Sequence, residues 1–303
     1  MSWLTDATPD ATAPGGAVDL VIEPGVKDMS GFRVRRALPS ARRRMVGPFI
    51  FLDHIAPAVF AAGAGLDVRP HPHIGLATLT YLTEGSILHR DTLGSVQDIL
   101  PGEVNWMTAG SGIAHSERSD AQQRARARGL CGIQSWLALP RAHEETVPAF
   151  HHHAGGDLPV LTDSGVSVRL VAGQAYGQRA AVATFSQTLY MDATLGAGAA
   201  LPLPDEYPER AVYLLEGEVE IAGERFAEHR LLVFRPGDRI TLRATRPTRL
   251  LVLGGEPMDG PRHIWWNFVH SAQDRIEQAK ADWRAGRFGL IPGDEQESTP
   301  LPA

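Results

Sequence analysis

His71-Pro72-His73 and, farther along the chain, His115-Ser116-Glu117 set three imidazoles and one carboxylate in i, i+2 pairs. Residues two apart on a β-strand point the same way, so each pair can present two donors to one point. Imidazole suits iron, copper, nickel and zinc, and three imidazoles with one carboxylate leave two adjacent positions open on an octahedral ion. The pattern predicts one divalent metal held by His71, His73, His115 and Glu117.

Such pairs work only on strands, and the flanking residues predict strands. Residues 68–83 are rich in β-branched and apolar types, with Arg69-Pro70 near the start and Glu84-Gly85 after the end. Pro72 has no N–H and faces away from the histidines, which suits an edge or a strand start. The histidine face is expected to continue through Gly75, Ala77 and Leu79, small side chains that leave room for a substrate beside the metal. Downstream, Pro101-Gly102 predicts a turn, 104–108 a short strand, Ala109-Gly110-Ser111-Gly112 a second turn, and 113–117 the strand on which His115 and Glu117 share a face. Ser116 then points the other way, and no Gly-x-Ser-x-Gly elbow supports a hydrolase.

Tyr81-Leu82-Thr83-Glu84-Gly85 recurs 132 residues later as Tyr213-Leu214-Leu215-Glu216-Gly217, and Pro101-Gly102 returns as Pro236-Gly237. Two copies of one β-rich unit are the economical explanation. Counting back from the second copy puts Leu203 and Asp205 where His71 and His73 stand in the first. The second copy is therefore expected to have lost the metal half-site, which predicts one ion per chain.

The order His-Pro-His, Tyr-Leu-x-Glu-Gly, Pro-Gly, Trp-Met-Thr-Ala-Gly, His-Ser-Glu resembles the pirins, a family of bicupins, and Gly47-Pro48-Phe49-Ile50-Phe51-Leu52-Asp53-His54 matches the opening motif of that family. The resemblance is dense from Gly47 to Glu117 and looser from about Val160 to Asn267. It implies an all-β fold of two tandem cupin, jelly-roll type β-barrels, with iron in the first. Carried over position by position, the ligands are again His71, His73, His115 and Glu117. One departure stands out: Ala77 occupies a place where many pirins have a glutamate, so Glu117 must supply the carboxylate. The resemblance further implies a quercetinase-like dioxygenase, which opens a flavonol ring with O₂ and releases carbon monoxide, with Glu117 as ligand and base. Family members also act as iron-containing regulators whose oxidation state sets their binding to an enzyme or transcription factor, and a shared fold does not choose between the two roles. Fe(II) is the expected ion; Mn, Ni, Co, Cu or Zn would also suit these donors, copper and zinc more tightly than iron in vitro.

At 303 residues and 43% hydrophobic, the chain can build two cores. The expected division is a disordered leader over 1–20, a metal-binding cupin over 21–142, a linker over 143–157, and a second cupin over 158–303 with a terminal helix and tail. His151-His152-His153 falls in that linker, where solvation is expected rather than metal binding. Asp53 and His54 are expected to tie a loop near the barrel mouth, and Trp265-Trp266-Asn267-Phe268-Val269 to be core. Ser271 and Asp274 suggest a capped start to an amphipathic helix over 271–284, packed on a barrel flank. A net charge of −6 gives no pull toward nucleic acid or anionic membranes. The arginines at 33, 35, 36 and 42–44 lack interleaved aromatics, and Arg33 and Arg35 flanking Val34 describe the wet face of a strand. Cys131 is the single cysteine, which excludes an intrachain disulfide and suits a reducing compartment. No targeting or membrane-spanning segment is evident, so the expectation is a cytoplasmic protein acting on a small aromatic, flavonol-like substrate and O₂, or else on a protein partner.

Overall fold

The computed structural model describes residues 16–29 and 31–302. Most of the expected leader therefore lies outside the described residues. The part within them is not loose: Val18–Ile22 is a strand paired antiparallel with Leu231–Phe234, which corrects the boundary set at residue 20.

The chain forms two compact units, and neither is continuous in sequence. One comprises residues up to Gly25, Arg36–Ile50 and Gly156–Pro257; the other comprises Val26–Arg35, Phe51–Gly155 and the chain from Met258 onward. The last segment, expected to complete the second cupin, instead belongs to the unit that carries the histidine pairs.

Each unit is built from a seven-stranded and a four-stranded sheet. In the histidine-bearing unit the larger sheet runs, in spatial order, Ala149–His153, Val104–Thr108, Leu76–Glu84, Arg128–Ala138, Phe49–Phe60, Arg33–Leu38, Gly25–Asp28. Its smaller sheet runs Asp67–His73, Ile113–Arg118, Ile87–Asp91, Val96–Ile99. The other unit repeats the plan, with Glu209–Glu216 in the place of Leu76–Glu84 and Ala200–Pro202 in the place of Asp67–His73. That recurrence of strand order is the internal repeat seen in the sequence.

The two interiors differ in chemistry. In the second unit the core is largely apolar, with Leu201, Leu242 and Val219 from the smaller sheet against Val212, Leu214, Leu232 and Val252 from the larger, and with the buried Arg210 donating to the Pro204 carbonyl at 3.0 Å. In the first, Leu82, Ile87, Ile99 and Leu130 form an apolar cluster with Val34 and Ile55, while buried histidines occupy another part of the same barrel.

One local feature revises the expected strand. Residues 68–83 are not continuous: the chain leaves Asp67–His73, bends at Gly75, and enters Leu76–Glu84 in the other sheet. Gly75 has φ +67°, and a Cβ there would run into the carbonyl oxygen of Val269. Only glycine meets both demands. The bend resets the side-chain parity, so Gly75, Ala77 and Leu79 do not continue the histidine face; Thr80 does, through its contact with Glu117 described below.

The linker expectation is likewise corrected. Ala149–His153 is an edge strand paired with Val104–Thr108, and His152 Nδ1 lies 2.8 Å from Asn105 Oδ1. The helix spans Gln273–Arg284 and has no side-chain cap. Ser271 is engaged elsewhere, its N–H and hydroxyl donating to the two oxygens of Glu144 at 2.8 and 2.6 Å. Ile276 and Ala279 are buried against Ile74 and Phe268, so the helix packs on the histidine-bearing unit. Beyond it, the tail returns along the smaller sheet: Thr299 N–H donates to Pro70 O at 2.8 Å, and Asp294 holds Arg118 at 2.6 Å. Among the described residues, no helix is long and apolar enough to cross a membrane.

Candidate metal centre

His71 and His73 close the strand Asp67–His73, which pairs antiparallel with Ile113–Arg118 so that His115 stands directly opposite His71. Alternation along each strand turns all three rings to one side. Their ring centroids lie 4.4 to 5.1 Å apart, and each offers a ligand nitrogen within 4.8 Å of the other two.

The hydrogen bonds fix which nitrogens are free. His71 Nδ1 lies 2.8 Å from Arg69 O, and His73 Nδ1 lies 3.1 Å from Asn267 O. A carbonyl can only accept, so each Nδ1 carries the hydrogen. Burial pushes the His71 imidazole down to about 4, against the opposing pull of the Arg69 carbonyl, and His89 nearby lowers it further. Burial and the neighbouring imidazoles hold His73 and His115 well below the usual histidine range. Neutral rings protonated at Nδ1 present lone pairs at Nε2. His73 Nε2 faces His115 Nε2 at 3.1 Å.

A cation answers this arrangement, because buried acceptors turned on one another need a positive centre between them. The donor set therefore fits a divalent metal. His115 Nδ1 is occupied as well, lying 3.4 Å from His89 Nδ1, whose Nε2 is 3.0 Å from Asp91 Oδ2.

Glu117 is buried on the same strand, but among the described residues the close group of potential ligands consists of the three histidines. The pairing register shifts between His115 and Glu117, where the chain bulges. Thr80 contacts both Glu117 Oε1 at 3.2 Å and Gln134 Oε1 at 2.9 Å. Burial pushes the Glu117 carboxyl above its ordinary value, opposed by His89 and the Thr80 hydroxyl. Aromatic walls stand beside the histidines: Trp136 presents its edge to His73 at 5.1 Å and stacks on Phe51 at 4.0 Å.

Three contributors were missed in the sequence. His89 and Asp91 form an i, i+2 pair on Ile87–Asp91, the same signal that exposed the ligands. Asn267 was read as the polar member of a core segment, yet it sits in the turn of a hairpin, His263–Trp265 with Phe268–His270, and reaches the site through its backbone. Asp53 and His54 both lie within the strand Phe49–Phe60, and His54 Nε2 is 3.8 Å from Cys131 Sγ. In the second unit, Leu203 and Asp205 follow the strand Ala200–Pro202 instead of forming it. A longer connection there displaces the ungapped count, and the strand positions themselves, Ala200, Leu201 and Pro202, offer no side-chain ligand.

Known proteins agree with this architecture. Residues 31–137 match the pirin family model, and residues 190–289 match that of the pirin C-terminal cupin domain. A pirin-like protein of Caulobacter vibrioides is 50% identical, covering 94% of this chain and 99% of its own length. Pirin of Rattus norvegicus is 32% identical over 86% of this chain and 89% of its own. A crystal structure described as quercetin 2,3-dioxygenase from Acinetobacter baumannii superposes with a TM-score of 0.86 at 33% identity, covering 94% of this chain and 95% of that one.

Proposed function

We propose that this chain, which belongs to the pirin family of bicupins, is a metal-dependent dioxygenase of the quercetinase type, with one Fe(II) in the histidine-bearing barrel. The observation that carries the reading is the convergence of three neutral imidazoles whose Nδ1 atoms are already engaged. His71, His73 and His115 would hold the ion, and Glu117 is assigned as the fourth donor and as the base. The metal would supply Lewis acidity and one-electron chemistry toward O₂.

The remaining work falls to the chain itself. Trp136 and Phe51 form a planar aromatic wall next to His73, which suits a flat, electron-rich ring. Glu117 takes the proton of the substrate hydroxyl. While Glu117 is ionised, the Thr80 hydroxyl donates to it; once protonated, the carboxyl can donate to Thr80, which turns its own hydrogen to Gln134 Oε1. Burial raises the proton affinity of Glu117, matching it to this task. The deep burial of the ligand rings keeps bulk water from the reacting ring.

Burial also favours a second reading. With His73 and His115 only 1% and 2% exposed, the centre could serve as a redox-responsive element in a regulator that binds an enzyme or transcription factor. The deciding experiment is O₂ uptake and carbon monoxide release by anaerobically iron-loaded protein given a panel of flavonols. Carbon monoxide formed in proportion to O₂ consumed supports the dioxygenase. Absence of turnover, together with a partner affinity that changes on iron oxidation, transfers the assignment to the regulator.

A further inference from the structure

Each ligand ring has its rear nitrogen occupied, but not by the same kind of group. Behind His71 and His73 stand backbone carbonyls, those of Arg69 and Asn267. Behind His115 stands a side chain, His89, with a carboxylate behind it in turn. We propose that His89, held by Asp91, is a positioning residue that fixes the donor tautomer of His115 and places negative charge behind it, tuning the metal. The inference rests on the reading that the three histidines hold an ion.

The proton positions follow in order from the carboxylate. Asp91 is fully buried, and its Oδ1 accepts from the amides of Leu93 and Ser95 at 2.9 and 3.0 Å. Burial alone would raise this carboxyl, but the hydrogen bonds from His89 and Ser95 hold it below its ordinary value. Asp91 Oδ2 therefore accepts, and His89 Nε2 carries the hydrogen. The Nδ1–Nδ1 contact needs one donor and one acceptor, and with the ion taking the His115 lone pair at Nε2, His115 Nδ1–H donates to His89 Nδ1. His115 is left with its lone pair at Nε2, the atom turned toward His73 Nε2. The required tautomer thus propagates through two hydrogen bonds from one buried anion.

Geometry favours a fixed relay over a proton exit. Phe150 stacks on His89 with centroids 4.3 Å apart and planes 15° apart, which restrains the ring. On the strand pairing, Glu117 stands opposite His89 and His115 opposite Asp91, so relay and ligand strand move as one sheet. Asp91 itself is fully buried and is fastened on its far side by Leu93 and by Ser95. A partner of this kind raises the basicity of a ligating imidazole, an effect a neutral carbonyl gives more weakly.

Asp91→Asn tests the polarity of the relay. The amide oxygen can keep the bonds to Leu93 and Ser95, which turns the NH₂ toward His89 Nε2. His89 must then accept at Nε2 and donate at Nδ1, directly against His115 Nδ1–H. His89→Phe removes the link while keeping a ring on Phe150, and carries the test if Asp91→Asn fails to fold. Cobalt(II) is the probe for affinity, titrated against a competing chelator, with its visible absorption reporting the ligand field. The parent is expected to bind one cobalt(II), and each variant to bind about ten- to a hundredfold more weakly with an altered spectrum. In iron-loaded protein, loss of the charge should shift the reduction potential positive, since the ferric ion benefits more from nearby negative charge. Parental cobalt affinity and spectrum in both variants would overturn the proposal. So would weaker binding with an unmoved potential, which would leave the pair a packing role only. A parent that binds no cobalt at all refutes the metal reading itself.

Discussion

The histidine cluster makes the metal-free protein acid-sensitive within a defined window. His71 falls from an ordinary 6.5 to about 4, chiefly through burial. At about 1.4 kcal/mol for each tenfold change in proton affinity, that lowering is worth about 3 kcal/mol. The unfolded chain binds the proton more readily than the folded one, so stability rises with pH wherever the two differ. The contribution is fully present above pH 6.5, declines as pH falls, and is gone below about pH 4. His73 and His115 act in the same direction. The assay is urea unfolding of chelator-treated protein between pH 7.5 and 4, comparing the parent with His71→Gln, which cannot titrate. Across that range the parent should lose about 3 kcal/mol more stability than the variant. A constant offset between the two curves would show that His71 is not held neutral by its surroundings, and the argument for a ready-made lone pair would fail with it.

Gly75→Ala should destabilise the protein by about 3 kcal/mol, combining the left-handed strain of a Cβ with its collision with the Val269 carbonyl; denaturant melts measure this, and a near-neutral effect would mean the bend is adaptable. Glu117→Gln should retain metal through the three histidines while losing most flavonol turnover, because a carboxamide is a poor base. Parental turnover at equal metal occupancy would remove Glu117 from the reaction. Elemental analysis after loading should give one ion per chain, since Ala200, Leu201 and Pro202 stand where the first barrel has its histidine strand; two ions surviving desalting would contradict the lost half-site.

The centre was readable where its signal was local. His71, His73 and His115 lie on two short strands, so alternation alone turns their rings together, whereas the bulge after His115 leaves Glu117 outside the close group. What failed depended on distant backbone. An isolated glycine in an apolar run can mark a bulge or a close approach, but the atom that demands a bare Cα at Gly75 is the Val269 carbonyl, from the far end of the chain. His151-His152-His153 reads as a polar stretch until Val104–Thr108 supplies the neighbouring edge. Trp266 adopts φ +52° in a hairpin turn without glycine, so Asn267 is the one turn-favouring residue in a stretch of bulky apolar neighbours. His89 and Asp91 repeat the ligand spacing, but only the pairing of Ile87–Asp91 with Ile113–Arg118 brings them behind His115.

The two barrels share a strand order but not an interior, and that contrast locates function in side chains instead of topology. In the second barrel, Leu201 and Leu242 face each other across paired strands, within a largely apolar core. In the first, the matching strands turn imidazoles inward, and every ring needs support from outside its own strand pair or from a backbone neighbour. His73 depends on Asn267, whose hairpin is fastened by Arg262, itself bound to Glu144 at 2.7 Å and to Leu139 O at 2.8 Å. His115 depends on His89 and Asp91. An apolar barrel is specified by hydrophobic patterning alone. A metal barrel also needs acceptors behind its ligands, and here the C-terminal segment provides one of them. That requirement explains why the chain from Met258 onward belongs with the histidine-bearing unit, although its place in the sequence follows the other.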